Sequence, residues 1–278
     1  MSSSRRGLFR AAAQAALAAQ EPKPPAPQLS DRDVMRYERQ LALDGWGEAE
    51  QVRLRDASVL VVGAGALGSP VATYLAGAGV GRLGVLDDDL VEPSNLHRQH
   101  LHFTPDVGQP KAHSAVAKLQ FLNPDISVEP YQVRLDADNA DGLVHGHDLV
   151  VDCSDSFATR YAVNAACVRA GVDLVEGGVV GLSGLVMGIR PGVSACYRCA
   201  FPEAPASAPT CASAGVLGPA AGVVGSLQAL EALKLLAGLG GALLDAFLQV
   251  DLDSGSFLRV GTRRRNDCAD CADYHREP

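Results

Sequence analysis

Residues 59–70 read VLVVGAGALGSP, an apolar run that enters a loop with glycines at Gly63, Gly65 and Gly68. The run suits a buried β-strand, and the residues after it suit a helix. G-x-G-x-x-G between a strand and a helix lets backbone approach phosphates closely and aims helix N-terminal amides at them. Arg82 to Asp87 reads as the next strand, so Ser58 to Asp87 forms a compact βαβ unit. Asp87 stands at the end of that second strand, where a carboxylate can hold a ribose hydroxyl. NAD and ATP fit equally well to this point, because both carry an adenosine ribose and phosphates.

The residues beyond Asp87 separate the two ligands. Arg98 follows a polar loop, and Lys111 opens a predicted helix, Lys111 to Leu122. A dinucleotide needs few cations, whereas cleaving a triphosphate spreads negative charge over the departing pyrophosphate. DLVVDCSD, Asp148 to Asp155, reads as an apolar strand ending in acidic residues. Asp152 and Asp155 therefore fall where open α/β sheets bind ligands, and a carboxylate there suits Mg²⁺. The bland alternative for Asp155 is a helix cap ahead of Thr159.

The whole chain sets outer bounds. It has 278 residues, is 47% hydrophobic and 5% aromatic, and holds 29 glycines, which suits a closely packed α/β protein. A net charge of −8 provides no global basic field for nucleic acid or an anionic membrane. No continuous run of about 18 apolar residues suggests a membrane span. Ser4 to Ala19 sets paired arginines before an alanine-rich stretch, a loose echo of a twin-arginine export signal. The stretch is weakly apolar and carries Gln14, so it reads as a basic tail of a cytoplasmic protein, followed by the proline-rich linker EPKPPAPQ. The expected organisation is a tail and linker over residues 1–29 and one domain over 30–278.

Between these landmarks, Ser30 to Asp56 reads as helical, with Ser30 as N-cap and breaks at Gly45 and Gly47. Ile126 to Val133 and Asp173 to Val175 read as strands, and Thr159 to Ala170 as a helix. Gly177 to Ile189 reads as glycine-rich antiparallel strands, and Phe247 to Val260 as a hairpin around Asp253-Ser254-Gly255. Pro219 to Leu236 is a long apolar helix whose Gln228, Glu231 and Lys234 share one face. The expected fold is a Rossmann-like nucleotide-binding sheet with helices on both faces, plus a C-terminal β-rich extension.

Seven cysteines include two C-x-x-C pairs, Cys196/Cys199 and Cys268/Cys271. Two such pairs supply four thiolates for one tetrahedral Zn²⁺, a closed and therefore structural site. Cys153 and Cys167 fall in an apolar strand and helix and read as core. Cys211, in PTCASAG, has no C-x-x-C partner. His97, His100 and His102 crowd together without metal-ligand spacing and read as polar loop residues near the phosphates.

RYERQ (36–40), GAGALGSP, SNLHRQ (94–99), VGQPK (107–111), DCSDSFATRY (152–161), CYRC (196–199), AGVLGP (214–219) and GSLQALEALK (225–234) occur in this order. The set resembles the MoeB/ThiF/HesA family, relatives of the ubiquitin-activating enzymes, from about Ser30 to Cys271. The resemblance implies ATP-dependent adenylation of the C-terminal glycine carboxylate of a small ubiquitin-fold sulfur-carrier protein, with release of pyrophosphate. It places Gly63, Gly65, Ala66, Gly68 and Asp87 around the nucleotide, with Ser94, Asn95, Leu96, His97, Arg98 and Lys111 along its phosphates. Asp155 would organise Mg²⁺ beside Ser156, and Arg39 would reach across a homodimer into the neighbouring site. Cys211 would lie in a crossover loop and serve acyl or sulfur transfer. Relatives usually carry glycine at Ala66 and asparagine at Ser156; an extra methyl at Ala66 is tolerable at negative φ and costly at positive φ.

The same resemblance fits molybdopterin, thiamin, thiolated-tRNA or cysteine synthesis. The chain ends soon after Cys271, so sulfur is expected from a separate donor. An NAD(P)-dependent oxidoreductase would explain the glycines and Asp87 but leaves RYERQ, Lys111 and the cysteine pairs idle. A non-catalytic relative would not need Arg39, Arg98, Lys111 and Asp155 intact. An ATP-dependent tRNA dehydratase shares the nucleotide core, but the acidic charge and paired C-x-x-C speak against it.

Overall fold

The structure, a computed structural model, describes residues 28–204 and 215–274. Two short helices come first, α1 (Asp31–Leu41) and α2 (Glu48–Asp56). Ser30 caps α1 as expected: its hydroxyl accepts from the Asp33 amide, and Asp33 accepts back from the Ser30 amide. Then follow β1 (Ser58–Val62), α3 (Gly68–Ala78), β2 (Arg82–Leu86), α4 (Lys111–Leu122), β3 (Ser127–Tyr131), α5 (Ala140–Val144) and β4 (Leu149–Asp152). The second half runs α6 (Phe157–Ala170), β5 (Asp173–Val180), β6 (Ser183–Ile189), α7 (Tyr197–Ala200), α8 (Gly218–Ala237), β7 (Ala246–Asp251) and β8 (Ser256–Gly261).

All eight strands form one sheet in the order β3-β2-β1-β4-β5-β6-β7-β8. The first five are parallel, and β6, β7 and β8 continue antiparallel from β5. The expected C-terminal β-rich extension is thus corrected: its strands extend the nucleotide-type sheet. Asp173 to Val175 proves to be the start of an eight-residue strand, because β5 runs on to pair with β6 at Val180↔Ser183. Chain order reverses between β1 and β4, which opens a crevice at their carboxyl ends.

The strand alternation sorts the core into two layers. Val59 and Val61 face a cluster with Val71, Leu75, Leu119 and Val224 from α3, α4 and α8. Leu60 and Val62 face the opposite layer, with Val144 of α5 and Val163 and Cys167 of α6. Both layers exclude water from the sheet, the dominant stabilising term for such a core.

Helix α8 covers the stretch read as a long apolar helix. It contains an 18-residue window of mean hydropathy 1.3, so by length and composition it could cross a membrane. Here it packs against the sheet, and its polar face turns inward. Gln228 donates to the Asp152 carbonyl at 2.7 Å, and Glu231 accepts from the Leu243 amide at 2.8 Å and from Lys234 at 2.6 Å. These buried polar groups stay because each has a partner.

The loop after β1 has a steric reason for its glycines. Gly63 adopts φ +93°, and a Cβ on Gly68 would lie 1.8 Å from the Gly63 carbonyl oxygen. Gly68→Ala is therefore expected to cost at least about 2 kcal/mol in denaturant unfolding. Gly77, exposed inside α3 with open space around it, gives the control. Gly77→Ala should gain about 0.5–1 kcal/mol; equal effects at the two positions would contradict the packing of this loop.

Candidate nucleotide site and metal centre

A pocket enclosing about 280 Å³ opens at the crevice. Its walls include Gly63, Gly65 and Ala66 after β1, Asp87 after β2, Arg98 and Lys111, and Ser154, Asp155 and Ser156 after β4. Sequence elements far apart thus meet at one place. At the head of α3, the Ser69 and Val71 amides already donate to the Gly65 and Leu67 carbonyls and Pro70 has no N–H, so it is the loop backbone of Gly65, Ala66 and Leu67 that faces the pocket.

The glycine loop is held from both sides at Ala64. The Ala64 amide donates to Asp87 Oδ2 at 2.8 Å, and the Asp89 amide donates to Asp87 Oδ1 at 2.9 Å. The Ala64 carbonyl lies 2.9 Å from His102 Nε2, so that nitrogen carries the proton. His102 Nδ1 then accepts from the Ser114 hydroxyl at 2.9 Å, and that hydroxyl accepts from Lys118 at 3.0 Å. His102 is 2% exposed, so of the three crowded histidines it is a core clamp, not a loop residue at the phosphates. Burial pushes Asp87 above the ordinary carboxylate range, opposed by Lys111 and the two amides.

Asp87 is 8% exposed and Lys111 6%. Lys111 Nζ sits 2.7 Å from Asp89 and 3.9 Å from Asp87. The lysine is therefore already charge-paired at the wall, and a phosphate would compete with Asp89 for it. Arg98 donates to the Ser94 carbonyl and contacts His97 Nε2, both at 2.8 Å. Asn95 is buried and spends its side chain on the Glu92 amide and the Ser94 hydroxyl. Ser94, Asn95, Leu96 and His97 do not line the pocket; of that loop, Arg98 and Gln99 do.

On the other wall, Asp155 is exposed and Ser156 takes the cap of α6, its hydroxyl accepting from Thr159 at 3.4 Å. The cap alternative for Asp155 is thereby removed. Asp152, fully buried, faces inward: its carboxylate accepts from the Ser154 amide at 2.8 Å. Beneath the pocket, Arg160 bridges Glu176 at 2.8 Å and the Ser154 carbonyl at 2.9 Å. Burial raises both Asp152 and Glu176, the Asp152 charge raises Glu176 further, and the Arg160 guanidinium opposes the rise in both. The only non-glycine with positive φ among the described residues is Asp245, so the Ala66 methyl sits in an ordinary backbone region.

Gln99, Arg134, Leu135 and Arg160 also line the pocket, and the sequence reading did not single them out. Arg160 was visible only as part of DCSDSFATRY. Arg39 lies on α1 with its side chain 92% exposed and does not line the pocket of its own chain. Cys211 lies outside the described residues.

Cys196, Cys199, Cys268 and Cys271 are all buried, with sulfurs within 4.8 Å of one another. Cys196 and Cys268 sulfurs are 3.6 Å apart, Cys199 and Cys271 3.4 Å, Cys196 and Cys199 3.8 Å. Sulfurs placed tetrahedrally at zinc–thiolate distances lie about 3.8 Å apart, so the four residues fit such an ion. Burial pushes the Cys271 thiol up to about 12 and Cys196 higher still; a divalent cation would supply the charge that ionises them. Asn164 of α6 ties both cysteine turns together, accepting from the Tyr197 amide at 2.8 Å and donating to Asp270 at 2.6 Å.

The His102 clamp makes a pH prediction. Burial holds its folded-state pKa below the ordinary 6.5, with Lys111 and Lys118 acting in the same direction. Between those values the unfolded chain binds a proton that the folded chain refuses, so stability falls as pH falls through the window. The melting temperature should drop on acidification below pH 6.5, and His102→Asn should flatten that slope while costing about 1–2 kcal/mol at pH 8. An unchanged slope in the variant would contradict the clamp.

The chain matches the ThiF family over residues 37–271. It is 49% identical over 248 residues to a sulfur carrier protein adenylyltransferase of Thermus thermophilus, covering 87% of this chain and 92% of the relative. It is 47% identical over 247 residues to a SAMP-activating enzyme E1 of Haloferax volcanii, covering 88% and 91%. An adenylyltransferase and sulfurtransferase MOCS3 of Sus scrofa is 48% identical over 255 residues; the alignment covers 91% of this chain and only 56% of that relative. The chain thus spans about half the length of the MOCS3 relative. Among solved structures, Escherichia coli MccB with MccA-N7isoASN superposes with a TM-score of 0.79 at 25% identity, covering 88% of this chain and 76% of that one. The fold, the pocket at the sheet switch point and these likenesses agree: the chain belongs to the MoeB/ThiF family.

Proposed function

We propose that the chain is an ATP-dependent adenylyltransferase that activates the C-terminal glycine carboxylate of a small ubiquitin-fold sulfur-carrier protein. Residues 30–278 work as its adenylation domain. The observation that carries this reading is the pocket itself. A ribose-holding carboxylate at Asp87, cations at Arg98 and Lys111, and an exposed carboxylate at Asp155 converge on the glycine loop after β1. A dinucleotide oxidoreductase has no use for that set of charges.

In the proposed reaction, a carboxylate oxygen of the partner attacks the α-phosphorus. The bond from that phosphorus to the bridging oxygen breaks, and pyrophosphate departs with the electron pair. The products are an acyl adenylate and pyrophosphate, and no proton moves. A carboxylate is a poor electrophile, and AMP gives it a leaving group. The protein's task is to hold two anions together and to balance the charge that grows on pyrophosphate. Lys111 exchanges Asp89 for phosphate oxygens, Arg98 adds a second cation, and Arg39 of a second copy in a homodimer adds a third. Asp155 would hold Mg²⁺, which supplies further charge neutralisation at the phosphates. The cysteine cluster holds structural Zn²⁺ and ties the C-terminal turn to α6. The Cys211 thiolate attacks the carbonyl carbon of the acyl adenylate, forming a thioester as AMP departs with the electron pair, and a separate donor provides the sulfur.

Purified chain with a Gly-Gly-terminated ubiquitin-fold partner should exchange pyrophosphate into ATP. Lys111→Ala and Asp155→Ala should each lower that exchange by about 100-fold or more. Partner-independent exchange, or full exchange in both variants, would contradict the reading. Separately, metal analysis of Cys199→Ser should show zinc below one per chain and a lowered melting temperature. Retained stoichiometric zinc and wild-type stability would remove the cysteine cluster from the zinc assignment.

A further inference from the structure

Arg134 lines the pocket as well, and the proposed chemistry gives it no task. Adjacent strands lie about 4.8 Å apart, and the carboxyl edge reads in order: the glycine loop after β1, Asp87 after β2, Arg134 and Leu135 beyond β3. Phosphates on the glycine loop and a ribose on Asp87 leave one direction for the base, outward over the tip of β3. The surface there is apolar below, with Leu86 and Leu135 each 3% exposed. The Arg134 side chain lines the same pocket, exposed and without a hydrogen bond or ion pair among the described residues. Its backbone is nevertheless fixed. Asn139 Nδ2 donates to the Arg134 carbonyl at 2.8 Å, and Asn139 and Asp136 bond each other's amides at 3.0 and 3.3 Å.

A guanidinium is planar, delocalised and weakly hydrated, so it stacks on flat rings where an ammonium does not. We propose that Arg134 covers the nucleotide base, stacking its guanidinium against the ring that rests on Leu86 and Leu135. Such a contact reads ring area, not ring edge, and favours purines over pyrimidines. The inference rests on the nucleotide-binding reading above and specifies how that site selects its nucleotide.

Calorimetric titration of the full chain with ATP, CTP and tripolyphosphate, each with Mg²⁺, tests it. Arg134→Ala should weaken ATP by about tenfold and CTP less, leaving tripolyphosphate within about twofold of wild type. Arg134→Tyr, which stacks without charge, should keep the preference for ATP over CTP, and Arg134→Lys should lose most of it. Equal weakening of all three ligands in Arg134→Ala, with recovery in Arg134→Lys, would make Arg134 a phosphate contact and overturn the proposal. Unchanged ATP affinity in Arg134→Ala would overturn it as well. Failure of the wild-type chain to bind ATP would instead contradict the functional reading on which the stack depends.

Discussion

The pocket depends on how residue 64 is held. The Ala64 amide is fixed by Asp87 and its carbonyl by His102, so a loop that enters on a left-handed glycine has one conformation. Each bond joins different parts of the fold. Asp87 follows β2, and His102 leans on Ser114 of α4, whose hydroxyl accepts from Lys118. The loop, the second strand and the fourth helix are therefore positioned together. Both bonds are buried, which makes them stronger than in water and makes an unpaired partner costly.

The same logic sets the charges around the pocket. Lys111 rests on Asp89, Arg98 on a backbone carbonyl and His97, and Arg160 on Glu176. Of these cations, Arg160 is the least available to a ligand, since it balances a fully buried carboxylate. Lys111 faces a largely exposed partner, Asp89, which can be rehydrated when a phosphate takes the lysine. Asp155 stays open because Ser156 takes the helix cap. The fold thus keeps some charges for itself and leaves others exchangeable.

Local patterns made much of this legible in the sequence. Ser30 ahead of acidic residues marked the first cap, Lys111 to Leu122 marked α4 at both ends, and the turn Asp253-Ser254-Gly255 marked the hairpin of β7 and β8. The two C-x-x-C pairs announced their convergence by spacing alone. The hidden features were partnerships across long separations. Nothing near Gln228 signals that it caps the Asp152 carbonyl, and nothing near His102 signals Ala64. For that reason the shared face of Gln228, Glu231 and Lys234 on α8 was legible but not its burial, and His102 read as a loop residue. Arg134 escaped notice for the opposite reason: it follows a strand whose exit carries no motif, and only the sheet order places it beside Asp87.

The central claim is that this pocket makes an acyl adenylate on a protein carboxylate. Intact-mass spectrometry measures it most directly, with the full chain, Mg-ATP, pyrophosphatase and a ubiquitin-fold protein ending in Gly-Gly. The expected result is a partner carrying one added adenylyl group, lost on treatment with hydroxylamine. A partner of unchanged mass, with ATP either intact or converted only to ADP and phosphate, would contradict it.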